Sequence, residues 1–434
     1  MKKLYYLFST LLSLPLAVLA QQVSMEQIAS ANQIAKVKSS SVELSMTHAN
    51  LDQEDNKAND PSKSKSYSKS FALDRSDKVD VINKYGSITV KTWAKSEVKM
   101  DAQITAYARS EKEVIDLLDR VQIQASKAGE QVSYKTEIDL KGINSMGSGT
   151  RNGVRWRREL KVHVTLYVPI SQAISLSQAY GNINLENHEG PTALRVQYGN
   201  LNTGDLKHDN NFASVQYGKA TLGMVNKIKM TLAYGENSSI KEAQQLNLGA
   251  QYAGFSINKV HAQAMVKMQY GNGFNIGEAG EIEFDGQYTR FNATTIKGNA
   301  KIKMQYGSGI NIGHAGSLTL TSQYTNLNLK TLAGTFTGSV QYGRINVERL
   351  EAGVKQFNVV ADYSPVSVGF ASNYNASLNV SVSYGSFKYG DRVSAKEVAG
   401  SNRSSTFKQF TGDIGNGAGN GININAKYGS VIFK

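Results

Sequence analysis

The side chains that could do chemistry are few and scattered along these 434 residues. Six histidines occur, at His48, His163, His188, His208, His261 and His314, and none has a partner at metal-ligand spacing. Gly271-Asn272-Gly273 and Gly307-Ser308-Gly309 look like phosphate loops only at first glance, because no helix and no Lys-Ser/Thr follows them. Carboxylates form no recurrent column, which argues against a calcium-binding β-roll. Cysteine is absent, so thiol catalysis, disulfides and an acylated-cysteine anchor are excluded. One basic cluster stands out, Arg151, Arg155, Trp156, Arg157 and Arg158 beside a Gly-rich stretch. It reads as a solvated hairpin loop, with contact to an anionic glycan as the functional alternative. No cofactor or metal site is expected, and no enzyme activity.

The element that must position everything else is a repeat. Tyrosines fall at Tyr180, Tyr198, Tyr217, Tyr234, Tyr252, Tyr270, Tyr288, Tyr306, Tyr324 and Tyr342, at steps of 17 to 19 residues, followed by Tyr363, Tyr384 and Tyr428. Apolar residues tend to precede each Tyr at minus two, minus four and minus six, and to resume at plus three and plus five. That is strand alternation with a break of register at the anchor. A short fixed period marks a stacked array, and about 18 residues leave no room for a helix or a propeller blade. The fold class expected is all-β: a parallel β-solenoid, right-handed by the general preference of parallel crossovers, preceded by a small α+β cap. Parity places the rings of Tyr180 through Tyr384 inward or at the corners, in a stacked ladder. An outward stripe gripping sugar rings is the alternative. The Gln that often precedes the Tyr is expected to form a second, amide ladder outside, and the Gly that often follows it to make the corner.

Six segments are expected. Residues 1–20 read as a secretory signal, with Lys2 and Lys3, an apolar run and a small-residue site at Val18-Leu19-Ala20. Residues 21–65 read as a flexible polar leader. Residues 66–170 form the α+β cap, whose one helix starts after a Ser cap at Ser110 with Glu111 and Glu113 in its first turn. Residues 171–390 are the solenoid, 391–421 a Gly/Asn/Ser-rich insertion, and 422–434 a terminal coil that seals the far end. The formal charge of +13 is spread along the chain. It permits an anionic glycan partner, whereas nucleic acid is not expected because the RNA-binding aromatic motifs are missing.

The run Lys84-Tyr85-Gly86-Ser87-Ile88-Thr89-Val90-Lys91-Thr92-Trp93, the helix near Glu111–Arg120, Tyr167-Val168-Pro169 and the serial Tyr-Gly coils together resemble the adhesin-type β-strand-repeat proteins of Gram-negative envelopes, a family of unassigned function. Gly273–Gly277, Gly309–Gly313 and Gly421–Ile424 are similar to the related Gly-Ile-Asn adhesin head domain. The resemblance covers roughly residues 70–434 and implies a fold without catalytic residues. The function expected is therefore an exported, adhesin-like, non-enzymatic protein of the periplasm, outer membrane or surface that presents a regular face to glycan or protein. A structural envelope component is the alternative. A polysaccharide lyase of the β-helix type is disfavoured, because nearly constant steps leave no loops to wall a cleft.

Overall fold

The structure, a computed structural model, describes residues 60–434 other than 144, 152, 236, 400–405 and 418. The expected signal and nearly all of the leader lie outside the described residues, as does His48. Parallel coils stack in register into a β-solenoid, and each coil contributes one strand before its Tyr and one after. In the middle of the rod these fuse at the opposite corner into continuous strands such as Gly273–Gln287 and Arg290–Gln305. Their pairing shifts register once, between Ala279 and Ile282, where the chain turns that corner.

The core is a column of like residues. Phe255, Phe274 and Phe291 stack at 5.9 and 6.1 Å between centroids, with Phe284 tilted against Phe291 at 4.8 Å. Ile240, Ile257 and Ile276 occupy equivalent buried sites one rung apart. Each rung closes only its own share of the core, so the array depends on neighbours and needs covered ends.

The N-terminal end is closed by strands that change direction. They are β1 (Ser62–Ala72), β2 (Lys78–Trp93), β3 (Glu97–Tyr107), then helix α1 (Glu111–Asp119), β4 (Val121–Ala128), β5 (Gln131–Ile138), β6 (Gly147–Arg151), β7 (Val154–Pro169) and β8 (Ala173–Leu185). Strand β2 is the first true coil: it pairs in register with β8 and carries Tyr85 one rung from Tyr180. Parallel β5 and β7 cover the two halves of β2. Antiparallel β4 then covers β5, β3 covers β7, and β1 covers β3. A buried polar joint fixes this cap to the rod. Asn83 donates to the Val162 carbonyl at 2.9 Å and to Gln178 at 3.0 Å, and accepts from the Thr136 hydroxyl at 2.8 Å.

The helix begins where the sequence predicts: the Ser110 hydroxyl accepts from the Glu113 amide at 3.3 Å, with Val114, Leu117 and Leu118 buried. The leader is shorter than expected, because Ser62–Lys65 already belong to β1. That outermost strand alternates Ser and Lys, and Lys63, Lys65 and Lys69 on it oppose pairing with another chain.

The other end differs from the expected terminal seal. Strand Gly421–Lys427 pairs in parallel with Gln356–Asp362 on one side and with Ala376–Ser383 on the other. Val431–Phe433 likewise lies between Val366–Phe370 and Phe387–Tyr389. The last coil in sequence is thus the penultimate coil in space, seated between the coils of Tyr363 and Tyr384. The outer cover comes from residues read as a loose insertion. Phe407–Ile414 runs antiparallel on Ala376–Ser383, and Val393–Glu397 runs antiparallel on it in turn. Both ends therefore use the same device, a switch from parallel to antiparallel pairing. An aromatic plug of Phe370, Phe387, Phe410 and Phe433 fills the open end of the core.

Candidate functional site

The Tyr column is stacked at the corners, one of the two placements expected, and its rings face outward rather than into the core. Fourteen tyrosines, Tyr85, Tyr180, Tyr198, Tyr217, Tyr234, Tyr252, Tyr270, Tyr288, Tyr306, Tyr324, Tyr342, Tyr363, Tyr384 and Tyr428, hold φ between 48 and 59°. The left-handed conformation at the Tyr breaks the alternation that would have buried its side chain. From Tyr217 onward the anchor rings stand 40 to 57% exposed. Successive centroids are 4.5 to 5.2 Å apart and the planes within 13° of parallel, from Tyr85 to Tyr384 without a gap. Tyr428 is sandwiched between Tyr363 and Tyr384, as the strand order requires.

This geometry also disposes of the sugar-gripping stripe. A sugar packs on the face of an aromatic ring, and here every interior face is covered by the next Tyr. Ring edges and hydroxyls alone reach solvent along the ladder.

The expected Gln ladder is not formed: among the described residues no side-chain hydrogen bond joins one anchor-preceding Gln to the next. Asn builds a ladder instead, on the strand that follows the Tyr in four successive coils. Asn292 donates to the Asn275 side-chain oxygen at 2.8 Å, Asn311 to Asn292 at 2.9 Å and Asn328 to Asn311 at 3.1 Å. Asn275 continues the row to the Ser256 hydroxyl at 3.4 Å. These residues floor a shallow groove of about 560 Å³, which Lys330 and Glu348 border at one end. Two steps along the strands, Gly277 and Gly313 deepen it. A Cβ at either would lie 2.4 to 2.5 Å from the backbone oxygen of Asn258 or Thr294, so the neighbouring strand holds both positions to glycine. A smaller groove of about 340 Å³ near the C-terminal end is lined by Asn358, Asn423 and Asn379.

Asn275, Asn292 and Asn311 each spend one N–H and one lone pair on their neighbours, which leaves one of each to face outward. The row repeats at the strand spacing of about 4.8 Å. Sequence reasoning quoted Asn275 and Asn311 only as parts of family-like motifs and missed the column. The available signal was Asn recurring four or five residues after the anchor, as at Asn184, Asn202, Asn275, Asn292, Asn311, Asn328 and Asn346.

Charge flanks the groove in pairs. Glu278 bonds Lys297 at 2.7 Å and Lys259 at 3.1 Å, and these two hydrogen bonds hold its carboxyl below the usual range. His261 meets Glu242 at 3.0 Å on the next coil. His163 bonds the Ser87 hydroxyl, and burial lowers its pKa. His188 is wholly buried against the Gln172 carbonyl, and desolvation lowers its pKa too. Among the described residues no group of three or more His, Asp or Glu is placed to hold a metal ion.

The basic cluster sits on a β-hairpin of β6 and β7. Arg157 is 4% exposed, lies 3.5 Å from the Tyr107 ring and bonds Glu159 at 2.9 Å, so it is structural and unavailable to a ligand. Arg158 faces Glu113 at 3.8 Å. Trp156 is half-buried beside Gly149. The side chains of Arg151 and Arg155 lie outside the described residues. Arg157 and Arg158 are therefore engaged by internal partners.

No family model matches the chain, and no curated protein sequence matches it either. Solved structures do. A candidate cell adhesion protein from Clostridium sporogenes is 9% identical, covering 86% of this chain and 99% of that one, at a TM-score of 0.16. A candidate adhesin from Bacteroides fragilis is 13% identical over 65% of this chain and 97% of that one, at 0.20. A candidate lipid-binding protein from Parabacteroides distasonis is 11% identical over 71% and 97%, at 0.23. Likeness at this level carries no argument for function, and the fold stands on the pairing and stacking described above.

Proposed function

We propose that this chain is an exported, non-enzymatic binding rod whose Asn-floored face holds an extended polar polymer, a glycan in preference to a protein segment. The observation that carries the reading is the Asn275–Asn292–Asn311–Asn328 row. It offers outward donors and acceptors, fixed by mutual hydrogen bonds, at a constant interval over several coils. Such pre-orientation removes much of the ordering cost of recognition. A polymer with one hydroxyl-bearing unit per rung suits it, and the groove's volume falls within the range of ordinary binding clefts. No helix among the described residues is long and apolar enough to cross a membrane.

A panel of neutral and anionic glycans tests this reading. Replacing Asn292 and Asn311 together by alanine removes two ligand hydrogen bonds, each contributing about 1 kcal/mol, so affinity should fall by about tenfold or more. The groove floor is uncharged, so binding should change little between low and high salt. Binding that survives the double substitution, or that vanishes in salt, would move the contact elsewhere. The rod's placement is checked separately by adding protease to intact cells. Digestion fits a surface role in adhesion, whereas protection until the outer membrane is broken fits an envelope scaffold.

A further inference from the structure

We infer that the C-terminal coil, residues 421–434, is an exchangeable insert, and that its seat between the coils of Tyr363 and Tyr384 accepts the same segment from a second copy of this chain. The inference is independent of the glycan reading.

Every other coil of the array from Tyr180 to Tyr363 follows its sequence neighbour, so it can be laid down by propagation. This one returns over the intervening chain to occupy a gap between two coils that precede it. It fills the gap completely. Ile422, Ile424, Ala426, Val431 and Phe433 are buried in the core. Its backbone bonds both walls: the Tyr363 amide donates to the Lys427 carbonyl at 2.8 Å, and the Tyr428 amide to the Ser383 carbonyl at 2.8 Å. Without the insert, four strand edges and two Tyr faces would stand open.

The connection that feeds the coil is built from Gly415, Gly417 and Gly419, at φ of 62, 69 and 91°. Glycine visits these conformations freely and many others too, which makes the segment a natural hinge. The connection is held by few bonds, among them the Gly415 amide to the Arg392 carbonyl at 3.0 Å, the Asn416 amide to the Asn375 side-chain oxygen at 2.9 Å and the Asn420 side chain to the Asn375 carbonyl at 2.8 Å. The other route into this end is clamped onto buried residues. Arg392 donates to the Ala371 carbonyl at 2.8 Å and to the Tyr374 carbonyl at 3.0 Å, while the buried Tyr374 hydroxyl reaches the Val354 carbonyl at 3.2 Å. The exchanging unit is therefore the coil alone, swung about Gly415, Gly417 and Gly419 once the bonds of Asn416 and Asn420 to Asn375 release. An identical segment offers an identical register, so a partner's coil forms every contact of the resident one. Exchange between two copies joins two rods through their C-terminal ends, by the general route of domain swapping.

Cysteine is absent from the chain, which makes a crosslink test clean. Val360 and Asn425 are register partners on neighbouring strands, and both are exposed. Adjacent strands lie within the reach of a disulfide. Full-length Val360→Cys and Asn425→Cys chains, co-refolded from denaturant and oxidised, should give a covalent heterodimer. Its yield should be about tenfold or more above that from Asn425→Cys with Thr319→Cys, a pairing of exposed but distant sites. The double variant in one chain should close an internal link, which checks that the coil sits where described. A heterodimer no more abundant than the control overturns the inference, and so does failure of the internal link.

Discussion

Replacing Gly218 by alanine is expected to cost the rod about 3 kcal/mol or more, a magnitude at the upper end for overpacking. A Cβ at Gly218 would lie 1.7 Å from the Gly199 carbonyl oxygen of the coil beneath, and Gly199 in turn sits over Gly181 at 1.9 Å. The obstacle is backbone, so no rotamer change relieves it. The coils must separate instead, and separation breaks the rung hydrogen bonds and the Tyr198–Tyr217 contact, which is 4.7 Å between centroids. The following glycine serves the corner through this close approach, since the left-handed residue is the Tyr itself. Gly249→Ala is the matched control. Nothing lies within 4 Å of its added Cβ, so its effect should lie between neutral and stabilising by about 1 kcal/mol. Denaturant midpoints of the two variants check the pair. A Gly218→Ala midpoint close to that of Gly249→Ala would refute the steric account.

Stability in such an array is nearly a sum over neighbouring rungs, so the damage should stay local. Amide exchange in Gly218→Ala should therefore accelerate around Tyr198–Tyr234 first and leave the coils near Tyr306 protected. The same locality explains why the ends are built differently from the middle. A rung pays no penalty for one faulty neighbour far away, but an uncovered terminal rung exposes half of its contacts. Hence, among the described residues, the antiparallel strands, the Lys-bearing edge of β1 and the Phe plug fall at the ends alone.

How much of this was legible in the sequence follows from the same physics. Period and alternation are properties of every rung, so the solenoid, its coil length and the capped helix after Ser110 could be read directly. The facing of the Tyr could not be read by parity, because the residues at minus two and plus three are both buried and register must break between them. The break belongs equally well to the Tyr or to the Gly, and glycine is the ordinary host of positive φ. The place of the last coil was hidden for the opposite reason. Coils with the same apolar spacing are interchangeable, so nothing in Ile422–Phe433 says whether it lies outside or inside Ala376–Tyr389. The Asn row was present in the letters. It was passed over because the anchor-to-Asn distance alternates between four and five residues, as at Asn292 and Asn311. A single-residue bulge absorbs that difference in space.

The tyrosine ladder makes the last prediction, because two effects of known sign oppose each other at one position. Tyr288 stacks on Tyr270 at 5.0 Å and on Tyr306 at 5.1 Å, and holds φ of 52°. Tyr288→Ala removes two stacking contacts of about 0.5–1.5 kcal/mol each, together with the buried part of the ring. It also leaves a side chain in the left-handed region, which disfavours L-residues by about 1–2 kcal/mol. A loss of about 2–4 kcal/mol is the expected result. Tyr288→Gly loses the same contacts but is released from the backbone strain, at the cost of about 0.5–1 kcal/mol in chain entropy. The glycine variant should therefore be the more stable of the two by up to about 1 kcal/mol, although it carries the smaller side chain. Glycan binding by both should match the parent, because the ladder presents edges and the Asn row lies on the following strand. If the alanine variant proves clearly the more stable, the tyrosine conformation is unstrained. If both retain the parent's midpoint, the stacked rings contribute nothing to the rod and must be kept for what their exposed hydroxyls touch.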